Sequence, residues 1–268
     1  MNILDRIVEK KKEEVAHAKA ATPLIRLEES ENFHRDCYSL RSFLTDPAKT
    51  GIIAEFKRKS PSKGMINNLA SVSAVTTGYA DAGASAISIL TDTTFFDGFN
   101  RDLEEARKVN KLPILRKDFT IDEFQVLEAK SLGADIILLI ATILSPERTK
   151  TLAKLAKTVG LNVLLEVHSK EELDRSLCDE LDAIGVNNRN LGDFTVSVDN
   201  SFELVNLIPD KFLKISESGI SSPETIHSLK KSGFDGFLIG ENFMKEGDPG
   251  KSMKAFVTEL EKIAGSAA

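Results

Sequence analysis

The stretch Ile52-Ile53-Ala54-Glu55-Phe56-Lys57 begins as a hydrophobic strand and ends with a carboxylate and an ammonium. Side chains alternate along a strand, so Glu55 and Lys57 project from one face. Opposite charges on the inner face of a buried strand are costly unless that face opens onto a polar site. An ion pair at a fraying strand end would explain this strand taken alone. The pattern recurs, however, in Leu90-Thr91-Asp92, Leu115-Arg116-Lys117-Asp118, Leu165-Glu166-Val167-His168, Gly185-Val186-Asn187-Asn188-Arg189, Ile215-Ser216-Glu217-Ser218-Gly219 and Leu238-Ile239-Gly240-Glu241. Lys57, Lys117, Glu55, Glu166, Glu217 and Asn187 gathered around one mouth would supply acids, bases and hydrogen-bonding groups. Asp92, Asp118 and His168 read instead as solvated strand ends, with His168 a hydrogen-bonding support.

Two of these strand ends carry a second signal. Ser218-Gly219 and Gly240-Glu241 follow late strands, where barrels often hold phosphate with backbone N–H groups and a short helix. Glu241-Asn242-Phe243-Met244 is the candidate helix, with the Glu241 N–H donating and its carboxylate turned away. Ordinary turn glycines are the plainer explanation of each site. The pair of positions favours phosphate.

These groups need a scaffold that brings strand ends together. From Gly51 onward apolar strands alternate with amphipathic helices, the signature of a parallel sheet. Eight strands are expected: 52–57, 86–91, 113–117, 135–141, 162–167, 183–187, 213–216 and 236–239. Gly83, Gly133 and Gly233 each stand between a helix and a strand, as helix-ending glycines do. Ser145-Pro146-Glu147 and Ser222-Pro223-Glu224 are helix starts, a cap followed by proline. Eight such units predict a single closed (β/α)8 barrel, a TIM barrel of the α/β class. The missing glycine-rich dinucleotide fingerprint weakens an open doubly wound sheet. Residues 3–20 form an amphipathic helix with Ile3, Leu4, Ile7, Val8 and Val15 near one face and the run from Lys10 to Glu14 mostly elsewhere. Residues 21–50 are mixed, with weak helical propensity at 39–44. We therefore expect an N-terminal helical extension over residues 1–48, packed on the barrel mouth, and a barrel over 49–268.

The 268 residues, 41% hydrophobic and 28% charged, are ample for a large core. A net charge of −6 offers no general positive field for nucleic acid. The longest apolar run, 136–141, is too short to span a bilayer, and no signal-peptide core opens the chain. Cys37 and Cys178 make no disulfide or metal pattern, which fits a reducing cytoplasm. His17, His34, His168 and His227 lack ligand spacing, so no metal is expected. No serine–histidine–acid spacing or Walker-type loop is present.

Taken in order, IAEFKRKSPSKG, LTDTTFFDGF, LRKDF, LLEVH, GVNNR, SESGI and LIGENFM resemble the indole-3-glycerol-phosphate synthase family of tryptophan biosynthesis. The resemblance covers the barrel and reaches the Ile3-Leu4-Asp5-Arg6-Ile7 helix. It departs at Asn100, where the family often has Gly-Ser after Phe-Phe-x, and at Phe56, which replaces a smaller aliphatic residue. It implies a cofactor-free lyase that converts 1-(2-carboxyphenylamino)-1-deoxyribulose 5-phosphate to indole-3-glycerol phosphate, CO2 and water. It implies Lys117 as general acid, with a pKa lowered by a neighbouring lysine. Lys57 would grip the substrate carboxylate, Glu166 would serve the later acid–base steps, and Glu55 would orient the lysines. Asn187 and Glu217 would bond the sugar hydroxyls, supported by Arg189. Ser60, Ser218, Gly219 and Gly240 would surround the anionic groups. The expected partner is a small phosphosugar, with neither nucleic acid nor membrane, and the chain is expected to be a monofunctional monomer or weak homo-oligomer. The alternatives are phosphoribosylanthranilate isomerase or a related phosphosugar enzyme, a Schiff-base aldolase using Lys117, and a non-catalytic phosphosugar-binding barrel.

Overall fold

The computed structural model describes residues 3–190, 192 and 194–266. Its centre is a closed barrel of parallel strands. We number them β1 (Ile52–Phe56), β2 (Ala86–Leu90), β3 (Ile114–Lys117), β4 (Ile136–Ile140), β5 (Asn162–Val167), β6 (Ala183–Asn187), β7 (Leu213–Glu217) and β8 (Gly236–Ile239). Each pairs with its sequence neighbour, and β1 closes on β8 with Ile53 opposite Leu238. This is the (β/α)8 barrel expected from the sequence, with strand boundaries shifted by no more than a residue or two. The helix starts also fall where expected. Ser145 Oγ accepts from the Arg148 N–H at 3.2 Å and Ser222 Oγ from Thr225 at 3.4 Å, caps each worth about 1 kcal/mol. Gly133 and Gly233 end their helices in left-handed geometry.

Strand alternation divides the core in two. Ile52, Ala54 and Phe56 point outward into the layer shared with the surrounding helices. Ile53, Leu115, Leu164, Ala183, Leu213, Ile215 and Leu238 fill the barrel interior. Two residues further along β1, β3, β5 and β7, the same inward parity places Glu55, Lys117, Glu166 and Glu217 above that apolar floor. The inward charges are thus a consequence of register.

The N-terminal segment meets the barrel at both ends. Helix α1 (Ile3–Ala21) brings Ile3, Leu4 and Ile7 to the mouth. The short helix Leu40–Leu44 closes the opposite end: Leu40 and Leu44 join the interior cluster, and the Leu40 N–H donates to Asn162 Oδ1 at 3.2 Å. Between them, Arg35 pairs with the fully buried Asp135 at 2.8 Å. A small antiparallel hairpin, Lys59–Ser60 with Gly64–Met65, follows β1 and was not foreseen in the sequence.

Candidate active site

The C-terminal ends of the strands open into a cavity of about 700 Å³. Its floor is a charge cluster. Lys57 Nζ donates to Glu55 Oε1 at 2.7 Å, and Ser88 Oγ donates to the other Glu55 oxygen at 3.3 Å. Lys117 Nζ donates to Glu166 Oε2 at 2.7 Å and to Glu217 Oε2 at 2.9 Å. Asn187 Nδ2 donates to Glu166 Oε1 at 3.0 Å, while Asn187 Oδ1 accepts from the Arg189 N–H at 3.0 Å. The six residues singled out for chemistry therefore stand together. Glu55, Glu166 and Glu217 are buried, whereas the Lys57 and Lys117 side chains remain 16% and 15% exposed toward the cavity.

Two glycines make this packing possible. A Cβ on Gly240 would stand 2.6 Å from Glu55 Oε1, and one on Gly185 would collide with Glu217 Oε1. Gly240 was singled out as a phosphate contact, but its side also receives Glu55. The signal missed in the sequence is that Gly185 keeps the inward parity of β6.

Electrostatics differ from the sequence expectation at one point. The Lys117 pKa is raised, not lowered. Burial opposes its charge, but Glu166, Glu217 and then Glu55 outweigh burial. Pairing carboxylates, invisible in linear spacing, surround this lysine. Burial pushes Glu217 up to about 7, helped by Glu166 and Glu55 against the pull of Lys117. For Glu166, burial is overcome by Lys117 and His168, and the group is held well below the usual carboxylate range. Glu217 Oε1 is buried without a hydrogen-bond partner among the described residues. That oxygen packs against Gly185, while Oε2 is the one that faces Lys117.

His168 is a support, as expected, and is not a solvated strand end. Its Nδ1 lies 3.4 Å from Glu172 and 3.3 Å from Thr142 Oγ1, and its Nε2 lies 3.5 Å from Glu166. Burial lowers its pKa, but these carboxylates raise it on balance. The reading of Asp92 and Asp118 as solvated ends is wrong. Both are buried, at 1% and 4% exposure, because each meets the ammonium of Lys11 from α1.

Part of the cavity lining is polar. Ser60, Lys63, Arg189, Ser218, Gly219, Gly240 and Glu241 all belong to it. Ser218 and Gly219 are consecutive left-handed residues at the end of β7, with φ of 68° and 76°. Glu241 opens the helix Glu241–Met244, and its carboxylate lies 3.5 Å from Lys63 Nζ and 4.0 Å from Arg189 Nη2. Phe96 and Phe119, with ring centroids 6.0 Å apart, form an aromatic part of the lining, Phe119 packing on the cluster that holds Leu138 and Ile140, and Ile3, Leu4 and Ile7 also line the cavity. Sequence reasoning did not assign that wall, although Phe96 and Phe119 each stand just beyond a charged strand end. Among the described residues, no group of three or more His, Cys, Asp or Glu is placed to hold a metal ion. None of their helices is long and apolar enough to cross a membrane.

Fold and mouth together define a (β/α)8-barrel protein with acid–base groups at the catalytic end of the strands. Residues 4–256 match the family model described as indole-3-glycerol phosphate synthase. A relative of that name from Bacteroides thetaiotaomicron is 46% identical over 260 residues, covering 97% of this chain and 99% of its own. Another, from Laribacter hongkongensis, is 42% identical over 256 residues, covering 94% and 97%. Among solved structures, 3-hexulose-6-phosphate synthase from Salmonella typhimurium superposes with a TM-score of 0.62 at 12% identity, over 80% of this chain and 99% of that one. Tryptophan synthase subunit alpha from Legionella pneumophila gives 0.59 at 13% identity, over 83% and 97%. At such identities these structures speak to the fold alone. The chain belongs to the indole-3-glycerol phosphate synthase family.

Proposed function

We propose that this protein is a carbon–carbon lyase that closes the indole ring of indole-3-glycerol phosphate from 1-(2-carboxyphenylamino)-1-deoxyribulose 5-phosphate, releasing CO2 and water. The observation that carries this reading is the arrangement of the mouth. Two lysines and three glutamates lie between an aromatic wall and a glycine- and serine-lined polar rim. The substrate has an aryl carboxylate, a ketone and a phosphate to match those three surfaces.

In this reading the aryl ring lies against Phe96 and Phe119, and Lys57 takes the aryl carboxylate in exchange for part of its pairing with Glu55. Ser60 supports that carboxylate from the hairpin. The phosphate sits among Ser218, Gly219, Gly240 and the first amides of the Glu241 helix, where backbone N–H groups favour anions. The ring carbon bearing the carboxylate attacks the ketone carbon, and Lys117 delivers a proton to the ketone oxygen as negative charge develops there. With its pKa raised, Lys117 is protonated at neutral pH, and the carboxylates that hold the proton make it a weaker acid, so the transfer draws on the negative charge developing at the ketone oxygen. The carboxylate then leaves as CO2, and its bonding pair returns to the ring. Loss of the new hydroxyl needs one proton donated and one removed. Glu166, held ionised, is the base, with Lys57 or Lys117 as donor. Asn187 holds Glu166, and with Glu217 it bonds the sugar hydroxyls. Arg189 supports the loop that carries Asn187.

We assign residues 1–48 as an extension whose first helix covers the mouth, and 49–268 as the barrel. A cytoplasmic protein, monomeric or weakly associated, fits this role. The test is substrate labelled with 13C at the carboxyl: labelled CO2 should evolve in step with indole product. Borohydride trapping of an adduct on Lys117, without CO2 release, would favour a Schiff-base aldolase. Tight binding with neither outcome would leave a phosphosugar-binding barrel.

A further inference from the structure

In the run Lys10, Lys11, Lys12, the outer two lysines are exposed and pair along the helix with Glu13 and Glu9. Lys11 turns inward and is only 4% exposed. Its Nζ lies 2.7 Å from Glu14, 2.9 Å from Asp92 Oδ2 and 2.9 Å from Asp118 Oδ1. Both aspartates have a second task. Asp92 Oδ1 caps the helix Thr93–Phe96 by accepting from the Phe95 N–H at 2.8 Å. Asp118 stands between Lys117 and Phe119 and accepts from the Thr91 hydroxyl at 2.5 Å and the Phe119 N–H at 2.7 Å. Arg116 approaches Asp118 at 3.5 Å from the outer side.

A cation buried among carboxylates is weak evidence for stability, since apolar packing usually serves at least as well there. What the arrangement supplies is a fixed relation between parts. We infer that Lys11 is a positioning residue for the substrate's aryl group: it joins α1 to the two loops that carry Phe96 and Phe119, and so sets the width of the aromatic wall beside Lys117. The inference rests on the proposed function only in taking an aryl substrate to lie on that wall. The tether itself is a property of the fold.

The test compares the unaltered protein with K11M and with K12M, a control on the exposed face. Indole formation gives KM and kcat, and hydrogen exchange without substrate gives local opening. K11M should raise KM about tenfold or more with kcat within about threefold, each tenfold step being 1.4 kcal/mol. Its exchange should quicken both in residues 3–21 and in residues 93–96, while K12M matches the unaltered protein. Should K11M fail to fold, D92N retains the side-chain oxygen of the cap and two of the three carboxylates. It should move KM and exchange in the same direction by less. A folded K11M with KM within about twofold of the unaltered protein, or with exchange quickened in α1 alone, would overturn the inference. If the unaltered protein makes no indole, the synthase reading fails separately, and the exchange comparison still decides whether Lys11 holds the wall.

Discussion

Replacing Lys117 by alanine removes the ammonium that Glu166 and Glu217 share, at 2.7 and 2.9 Å. If Lys117 is the proton donor in ring closure, turnover should fall by about 10²–10⁴, the usual contribution of a general acid. At 1.36 kcal/mol per tenfold, that is about 3–5 kcal/mol on the barrier. The same change threatens stability, because a buried ion pair that loses one partner costs about 3–5 kcal/mol when the remaining charge cannot be neutralised. Here it can. Burial, with Glu166 and Glu55, already pushes the Glu217 carboxyl up to about 7, and losing Lys117 raises it further. A carboxyl with a raised folded-state pKa stabilises most below its ordinary value, and that contribution is lost as pH rises through the folded pKa. The variant should therefore be close to normal in stability in mildly acid buffer and clearly destabilised in alkaline buffer. Thermal unfolding across that range, alongside steady-state indole formation where the variant is folded, separates the two effects. Near-normal turnover in a folded Lys117→Ala protein would remove Lys117 from the role of acid. A stability loss independent of pH would refute the reasoning about Glu217.

Three further outcomes are expected. Glu166→Gln should lower kcat by about 10² or more with KM little changed; a raised KM at unchanged kcat would make Glu166 a binding residue. In the unaltered protein kcat/KM should rise with pH through about 7 as Glu217 becomes the acceptor carboxylate, and Glu217→Gln should abolish that rise. A profile unchanged in the variant would assign the titration to another group. Asp135→Asn leaves Arg35 and Arg107, at 2.8 and 2.7 Å, without their carboxylate at the end of the barrel away from the mouth. It should cost about 3–5 kcal/mol in urea unfolding with turnover per folded molecule unchanged.

The strands and their inward charges are legible because both obey one local rule, the period of two along strands whose outward residues are mostly apolar, Arg116, Lys214 and Ser216 excepted. That rule places Glu55, Lys117, Glu166, Asn187 and Glu217 on the inner face without any knowledge of their partners. Partnering is where the reading from sequence fell short. Lys117 looked like a lysine depressed by a second lysine, and only the closed barrel shows that β5 and β7 present carboxylates to it. Lys11 looked like one of a solvated run, because helical periodicity places it near the edge of the apolar face and says nothing of Asp92 and Asp118 across the mouth. The same omission made those two aspartates look like ordinary strand ends. The hairpin at 59–65 is too short to leave a periodic signal. Phe96 and Phe119 become a wall only when neighbouring strands bring their loops together.

Mixing the protein with 1-(2-carboxyphenylamino)-1-deoxyribulose 5-phosphate in the presence of EDTA and following indole fluorescence decides whether it closes the indole ring. The chain contains no tryptophan, so new indole emission cannot come from the protein. Emission should grow at a rate proportional to enzyme concentration and fall by about 10²–10⁴ in the Lys117→Ala variant. Saturable binding of the substrate with no emission from the folded, unaltered protein would contradict ring closure.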